Sequence, residues 1–276
     1  MLSGRPGPWI SPSDRVNLLF IGDVNGRTGR NLVHEHLDRL VDRHHVDYAV
    51  ANVENAAEGF GITPALASEL EATGLHVMTS GNHIWDKAEI LPYIEEHRNL
   101  LRPHNFPAGT PGIGVHVGST AGGVPVAVIN LMGRVFMNML ECPFRTADRI
   151  LEELKGKARV ILVDFHAEAT SEKVALGWYL DGRVSAVLGT HTHVQTADER
   201  VLPQGTAVIT DVGMTGARDS VIGVEKELAI RRFLQQMPVR FACAKKNPRL
   251  CAVVVEVDEL TGRARKIERL DLPGAE

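Results

Sequence analysis

An α/β domain with two packed sheets is what the sequence predicts, and three observations predict it. From Val16 to Leu188, short apolar runs alternate with stretches of helical periodicity, the pattern of strands joined by helical crossovers. Beyond residue 194 the alternation stops and strand-like segments bunch together. The 276 residues, 44% of them hydrophobic, can bury a large core, and no linker, internal repeat or low-complexity tract cuts the chain in two. Residues 15–276 are therefore expected to form one domain. Residues 1–14 are expected to be a flexible tail, because their Pro, Gly and Ser content cannot continue a helix or strand.

Val16 to Ile21 is a continuous apolar run closed by Gly22-Asp23, which reads as a buried strand feeding a loop. From Arg30 to Arg43 the residues Val33, Leu37, Leu40 and Val41 recur at helical spacing, so a helix with one face on a sheet follows. Tyr48 to Ala51 forms the next strand. After a polar loop through Asn52, Glu54, Asn55 and Gly59, Thr63-Pro64 supplies a cap and a first-turn proline for a helix to about Thr73. Leu75 to Met78 is a third short strand, ending at Ser80-Gly81-Asn82-His83, and Asp86 with Glu89 has capping-box spacing for a helix to about His97. Gly and Pro between Arg102 and Val124 leave only Gly114 to Val117 as an edge strand. Val126 to Leu131, Val160 to Val163 and Ser185 to Leu188 are further strands, separated by helices over Thr146 to Lys155 and after Thr170. Strands around Leu202-Pro203-Gln204-Gly205 follow, and a hairpin pairing Cys251 to Val257 with Ala264 to Leu270 closes the chain.

Composition excludes several classes of function. Lys and Arg total 30 against 34 Asp and Glu, a formal net charge of -4, and no basic run exceeds two residues, as at Lys245-Lys246. Long nucleic acid and anionic membrane surfaces are therefore not expected partners. Cys142, Cys243 and Cys251 are an odd count without CxxC spacing, which argues against a disulfide framework or a thiolate zinc site. With no signal-like segment and no apolar run of eighteen residues, the chain reads as cytoplasmic.

The informative residues stand where the strands end. Asp23 and Asn25, Glu54 and Asn55, Asn82 and His83, His166, and the pair His191 and His193 stand at the ends of five apolar runs. Ligands of open α/β sheets bind outside the carboxyl ends of the strands, so these side chains can converge on one rim. Two carboxylates, three amides and several imidazoles without a thiolate exceed what one tetrahedral zinc needs and suit two borderline cations such as Mn, Fe or Zn, with Asp23 or Glu54 able to bridge them. In Gly189-Thr-His191-Thr-His193 the two histidines sit at i and i+2 and point to one side of an extended segment. The glycines of Gly22-Asp-Val-Asn-Gly26-Arg-Thr-Gly29 match neither a phosphate-binding P-loop nor a dinucleotide fingerprint. His34, His36, His44 and His45 fall among charges and read as solvated; Trp85 reads as a packing anchor, and Phe136 with Met137 as a wall or interface.

The ordered set Gly22-Asp23, Asn52-Val-Glu54-Asn55, Gly81-Asn82-His83, His166 and Gly189-Thr-His191-Thr-His193 resembles the calcineurin-like metallophosphoesterase superfamily over nearly all of residues 16–270. Asn25 stands where most members have a histidine ligand, and Glu54 where they have a bridging Asp. Those departures, with Ile84-Trp85-Asp86, the segment Phe165 to Lys173 and Thr210-Asp-Val-Gly-Met-Thr-Gly216, are similar to the YmdB-like branch, which contains phosphodiesterases of 2′,3′-cyclic nucleotides. The resemblance implies a four-layer αββα double β-sandwich and two divalent or mixed-valence metal ions, Fe, Mn or Zn. It further implies that Glu54 bridges them, with Asp23, Asn55 and His193 around one and Asn82, His166 and His191 around the other, while His83 is a non-ligand facing the leaving group. The implied activity is hydrolysis of small phosphodiesters by a metal-bound water or hydroxide, in a chain that could be a homo-oligomer. A phosphomonoesterase or protein phosphatase on the same fold, or a nucleotide-sensing regulatory protein, are the alternative expectations.

Overall fold

The computed structural model describes residues 14–274. The expected tail therefore lies outside the described residues except for Asp14, whose carbonyl accepts a hydrogen bond from the Glu259 backbone at 3.2 Å. The described chain is a mixed α/β fold of two sheets and six helices. In order, the elements begin with β1 (Arg15–Ile21), β2 (Asp23–Val24), α1 (Gly26–His44), β3 (Tyr48–Asn52), α2 (Pro64–Glu71), β4 (Val77–Thr79) and α3 (Ile90–Glu96). The middle supplies β5 (Val115–Ser119), β6 (Pro125–Met132), α4 (Pro143–Leu154), β7 (Val160–His166), α5 (Thr170–Tyr179) and β8 (Ala186–Thr190). The last third adds β9 (Arg200–Val201), β10 (Ala207–Ile209), β11 (Met214–Ala217), α6 (Lys226–Gln235), β12 (Pro248–Asp258) and β13 (Ala264–Pro273).

One sheet runs β2-β11-β12-β1-β3-β4 with β13 paired to β12; the other runs β5-β6-β7-β8-β10-β9. Strands β1, β3 and β4 are mutually parallel, as are β6, β7, β8 and β10, and the β12-β13 hairpin is antiparallel. Strand alternation decides what each face buries. Val16, Leu18 and Phe20 of β1 pack with Val128, Leu162 and Leu188 of the second sheet. Leu19 and Ile21 face the other way, onto Leu32, Val33 and Leu37 of α1 and Leu70 of α2. The second sheet turns Ile129, Val163 and Phe165 onto Ile150 of α4 and Leu176 of α5. A slip of one residue in β1 would exchange its two apolar faces, so register is tightly specified.

Several expectations need correction. The five polar strand ends belong to two sheets, three following β1, β3 and β4 and two at the ends of β7 and β8, so the rim is shared rather than drawn along one sheet. Helix α1 starts at Gly26 instead of Arg30, because its first turn packs on backbone: a Cβ on Gly29 would lie 2.4 Å from the Thr215 carbonyl oxygen. Asp86 does not cap α3; its carboxylate faces the His83 ring at 2.7 Å, and the cap residue Glu89 makes no side-chain bond. His36 is buried, 8% exposed, because it shares the inner face of α1 with Leu32, Leu37 and Leu40. Phe136 is 89% exposed, which removes the wall and keeps the interface of its two expected roles.

Replacing Leu18, fully buried between the sheets, by Ala should cost about 2–5 kcal/mol of unfolding free energy. Phe233→Ala on α6, where the ring is 73% exposed, should stay within about 0.5 kcal/mol. Urea-unfolding midpoints of the two variants measure the difference.

Candidate metal centre

Asp23 and Glu54 are both fully buried. Asp23 follows β1 at the turn that starts β2, and its Oδ2 accepts the His191 backbone N–H at 3.3 Å. Its Oδ1 is buried without a hydrogen-bond partner, with His193 Nε2 the facing charge at 3.6 Å. Glu54 stands in the loop after β3. Its Oε2 accepts the His83 backbone N–H at 2.9 Å, and its Oε1 lies 3.1 Å from His166 Nε2 and 3.4 Å from Asn55 Nδ2. Around His166 Nε2 gather Asn82 Oδ1 at 2.9 Å and His191 Nδ1 at 3.0 Å. On the Asp23 side, Asn55 Nδ2 is 3.2 Å from His193 Nε2. All seven expected donor residues thus come together, and Glu54, His166 and His191 alone meet the spacing of a metal site among the described residues.

Each imidazole is turned by a partner behind it. Thr190 Oγ1 donates to Asp164 at 2.7 Å and so accepts from His166 Nδ1–H at 3.0 Å, which leaves His166 Nε2 facing the centre. The Ile222 carbonyl accepts from His193 Nδ1–H at 2.9 Å, and Glu168 faces His191 Nε2 at 3.2 Å. This outer support for imidazole ligands is what metal sites require. His191 and His193 both have positive φ, 95° and 65°, a conformation that costs about 1–3 kcal/mol per residue. Asp211 holds the intervening turn. Its carboxylate accepts from the Thr192 N–H at 3.1 Å and hydroxyl at 2.6 Å, and from buried Lys173 Nζ at 2.8 Å. Gly81 is required by close approach, since a Cβ there would lie 2.2 Å from the His166 ring.

Charge in this cluster is mutual. Burial pushes Asp23 up, but His193, His166 and the His191 N–H outweigh it and hold the carboxyl at about 2. Burial opposes ionisation of Glu54 too, and His166 brings it below the usual range. Burial depresses His193, and Asp23 overrides this to raise it to about 9, whereas burial and the His166 charge keep His191 down at about 4. His166 is raised against its burial by Glu54. Two ionised carboxylates are therefore balanced by protons on imidazoles. The residues fit cations: an orphaned carboxylate oxygen, converging imidazole nitrogens oriented from behind and the Asn82 amide oxygen are the donor types that borderline cations take, while Asn55 presents its NH₂ group here and would have to turn its amide to ligate.

The ends of parallel strands in two facing mixed sheets and this carboxylate, imidazole and amide set define a site of the metallophosphoesterase type. The family model described as YmdB-like protein matches residues 19–270. A 2′,3′-cyclic-nucleotide 2′-phosphodiesterase of Bacillus subtilis (strain 168) is 50% identical over 255 residues, 92% of this chain and 96% of that protein. A crystal structure of a hypothetical protein from Thermus thermophilus superposes with a TM-score of 0.88 at 43% identity, covering 94% of this chain and 100% of that one. A phosphatase structure from Mycoplasma pneumoniae gives 0.88 at 33% identity, covering 94% of each chain. The chain belongs to the YmdB-like protein family.

The orienting residues were not singled out by sequence reasoning. Glu168, Thr190, Asp164 and Asp211 act through other side chains, and Asp86 has the spacing of a helix cap. Asp86, Glu168, Thr190 and Asp211 lie inside the motifs that carry the family resemblance, whereas Asp164 lies within the strand β7.

Because His193 is protonated below about 9, metal binding near neutral pH should release protons, and affinity should rise with pH until that value is passed. Calorimetry of metal titration in buffers of different ionisation enthalpy counts the protons; no release at neutral pH would contradict the assignment. Glu54→Gln should lose metal under dialysis that leaves the parent loaded, as read by elemental analysis.

Proposed function

We propose that this chain is a dinuclear-metal phosphodiesterase that hydrolyses small phosphodiesters, 2′,3′-cyclic nucleotides first. The observation that carries the reading is the donor cluster around Glu54, in a chain half identical over 92% of its length to a protein named for that activity. Asp23, Asn55 and His193 would hold one ion and Asn82, His166 and His191 the other, with Glu54 shared; the contacts of Asn82 and His191 with His166, and of Asn55 and Asp23 with His193, support this division. Fe, Mn and Zn all suit such a set. When bound, the ions supply an activated water at neutral pH and neutralise charge on the phosphoryl oxygens. We read the packing of helices outside two facing sheets as the four-layer αββα double sandwich. Residues 15–276 are read as one domain, since β1 and β12, from opposite ends of the chain, are paired along the whole of β1. The free cysteines fit a cytoplasmic protein, and no described helix is long and apolar enough to cross a membrane.

The protein's own groups then have separable tasks. Asp23 and Glu54 provide fixed negative charge. His83 is held by its backbone N–H on Glu54 and by Nδ1 against Asp86 at 2.7 Å, so its Nε2 is the atom free to deliver a proton to the leaving oxygen. The cavity beside these residues has a volume of about 190 Å³, with Glu58 and no Lys or Arg in its wall. Lys173 is committed to Asp211, and Arg27 lines a separate surface depression on α1. A diester with one negative charge suits such a site better than a monoester dianion or a polyanion.

His83→Ala should keep its metals and slow turnover by roughly a hundredfold; loss of a metal instead would make His83 a ligand. The reading as a whole is tested by a panel of 2′,3′-cyclic AMP, 3′,5′-cyclic AMP, a nitrophenyl diester, a nitrophenyl monoester and single-stranded oligonucleotide under matched metal. The cyclic 2′,3′ diester should lead in kcat/KM, and a monoester above every diester would establish a phosphatase instead.

A further inference from the structure

The cavity lined by Glu54, His83 and His193 is also lined by the segments 222–224 and 241–243, and apart from Glu58 and Asn25 this remaining part of its wall is largely apolar. Phe60 stands at its mouth, 40% exposed, with its ring edge-on to His83 at a centroid distance of 5.2 Å. Ile222, 55% exposed at φ 46°, Val224 and Phe241 face it. Apolar side chains left open beside a polar centre are the composition of a small-molecule site.

Asn25 is the second, independent observation. It occupies the N-cap position of α1, where an asparagine normally bonds a free backbone N–H, yet its side chain makes no capping bond. The residue is only 5% exposed, lines this cavity, and its amide makes no hydrogen bond among the described residues. It lies flat against Gly223, where a Cβ would come within 2.7 Å of Nδ2, so the glycine at φ 100° leaves room for it. The Asn25 amide atoms are open to the cavity with neither donor nor acceptor engaged by the protein, so both are available to a ligand there.

We infer that this extension is the nucleoside half of the substrate site, with Phe60 as the surface on which the base packs and the Asn25 amide reading a polar edge of the base. Asparagine suits that task because its adjacent C=O and NH₂ match the paired acceptor and donor on the edge of a nucleobase. Aromatic packing is tolerant of base identity, so Phe60 supplies affinity and Asn25 supplies discrimination. The inference rests on the phosphodiesterase reading and adds to it the recognition of the part of the substrate that does not react.

The experiment compares 2′,3′-cyclic AMP with glycerol 1,2-cyclic phosphate, which keeps the strained cyclic diester and lacks ribose and base. In Phe60→Ala and Asn25→Ala the ratio of kcat/KM for the nucleotide over the glycerol diester should fall by about tenfold, chiefly through KM, and Phe60→Trp should restore it. Calorimetry of the metal-loaded proteins with 3′-AMP and with inorganic phosphate gives a second readout: the variants should weaken the nucleotide and not phosphate. A ratio unchanged within about twofold in both alanine variants would overturn the inference, as would loss of a metal in Asn25→Ala, which would make Asn25 a ligand. If Asn25→Ala fails to fold, the partly exposed Phe60 pair decides. If the parent turns over neither diester, the phosphodiesterase reading fails, and the 3′-AMP binding of parent against variants still decides whether the cavity holds a nucleoside.

Discussion

The carboxylates of Asp23 and Glu54 sit at zero exposure in one pocket, and removing an ion from water costs several kcal/mol even after the protein relaxes around it. The surrounding polar structure is organised by the need to offset that cost. Backbone N–H groups of His191 and His83 point at the two carboxylates, and His166 and His193 carry raised pKa values because they share the burden. One oxygen of Asp23 still has no hydrogen bond. The folded chain therefore has a built-in demand for positive charge that protons meet incompletely. A cation meets it better, because it brings more charge to the same donor atoms without needing a lone pair of its own.

Meeting that demand fixes much of the architecture. The donors arrive from both sheets, so the sheets must stack with their strand ends in register, and the apolar layer of Phe20, Val50, Leu162 and Leu188 between them keeps that alignment. The turn carrying His191 and His193 is a local cost to the fold, since both residues adopt left-handed backbone angles. It is held by Asp211, itself tied to Lys173 in an ion pair whose side chains are 1% and 4% exposed. Removing one partner of such a pair is far more damaging than replacing both. The orientation of two histidines is in this way secured by residues from α5 and from the segment after β10.

How much of this was legible in the sequence follows the same division. Strand ends were readable because apolar runs stop abruptly at Asp23, Glu54, Asn82, His166 and His191, a local signal that survives without knowledge of the partners. The β2-β11 pairing was not, because Met214 meets Asp23 across the fold and neither segment has enough residues for a period. Helix α6 was also missed: it buries only Ala229, so it has no apolar stripe against the core, and Ile230, Phe233 and Leu234 are exposed. His36 was misjudged because flanking charges belong to the opposite face of the same helix. The donors were visible as residue types at strand ends, whereas Glu168, Asp164 and Asp211 have meaning only through contacts that sequence spacing does not encode.

The absence of Lys and Arg from the cavity wall gives the site a charge that depends on what occupies it. With Asp23 held at about 2, Glu54 below the usual range and Glu58 in the wall, the protein alone offers a phosphate ester little net positive charge. Two divalent ions held there, as proposed, would exceed the charge of Asp23 and Glu54 by two, and Glu58 in the cavity wall offsets part of that excess, which suits a singly charged diester. A monoester dianion would exceed it, and no cationic side chain in the wall is free to compensate. Loading with metal would thus set both reactivity and the preferred charge of the substrate. Discrimination among diesters must come from groups that do not respond to that charge, and the aromatic and amide surface formed by Phe60 and Asn25 is of that kind.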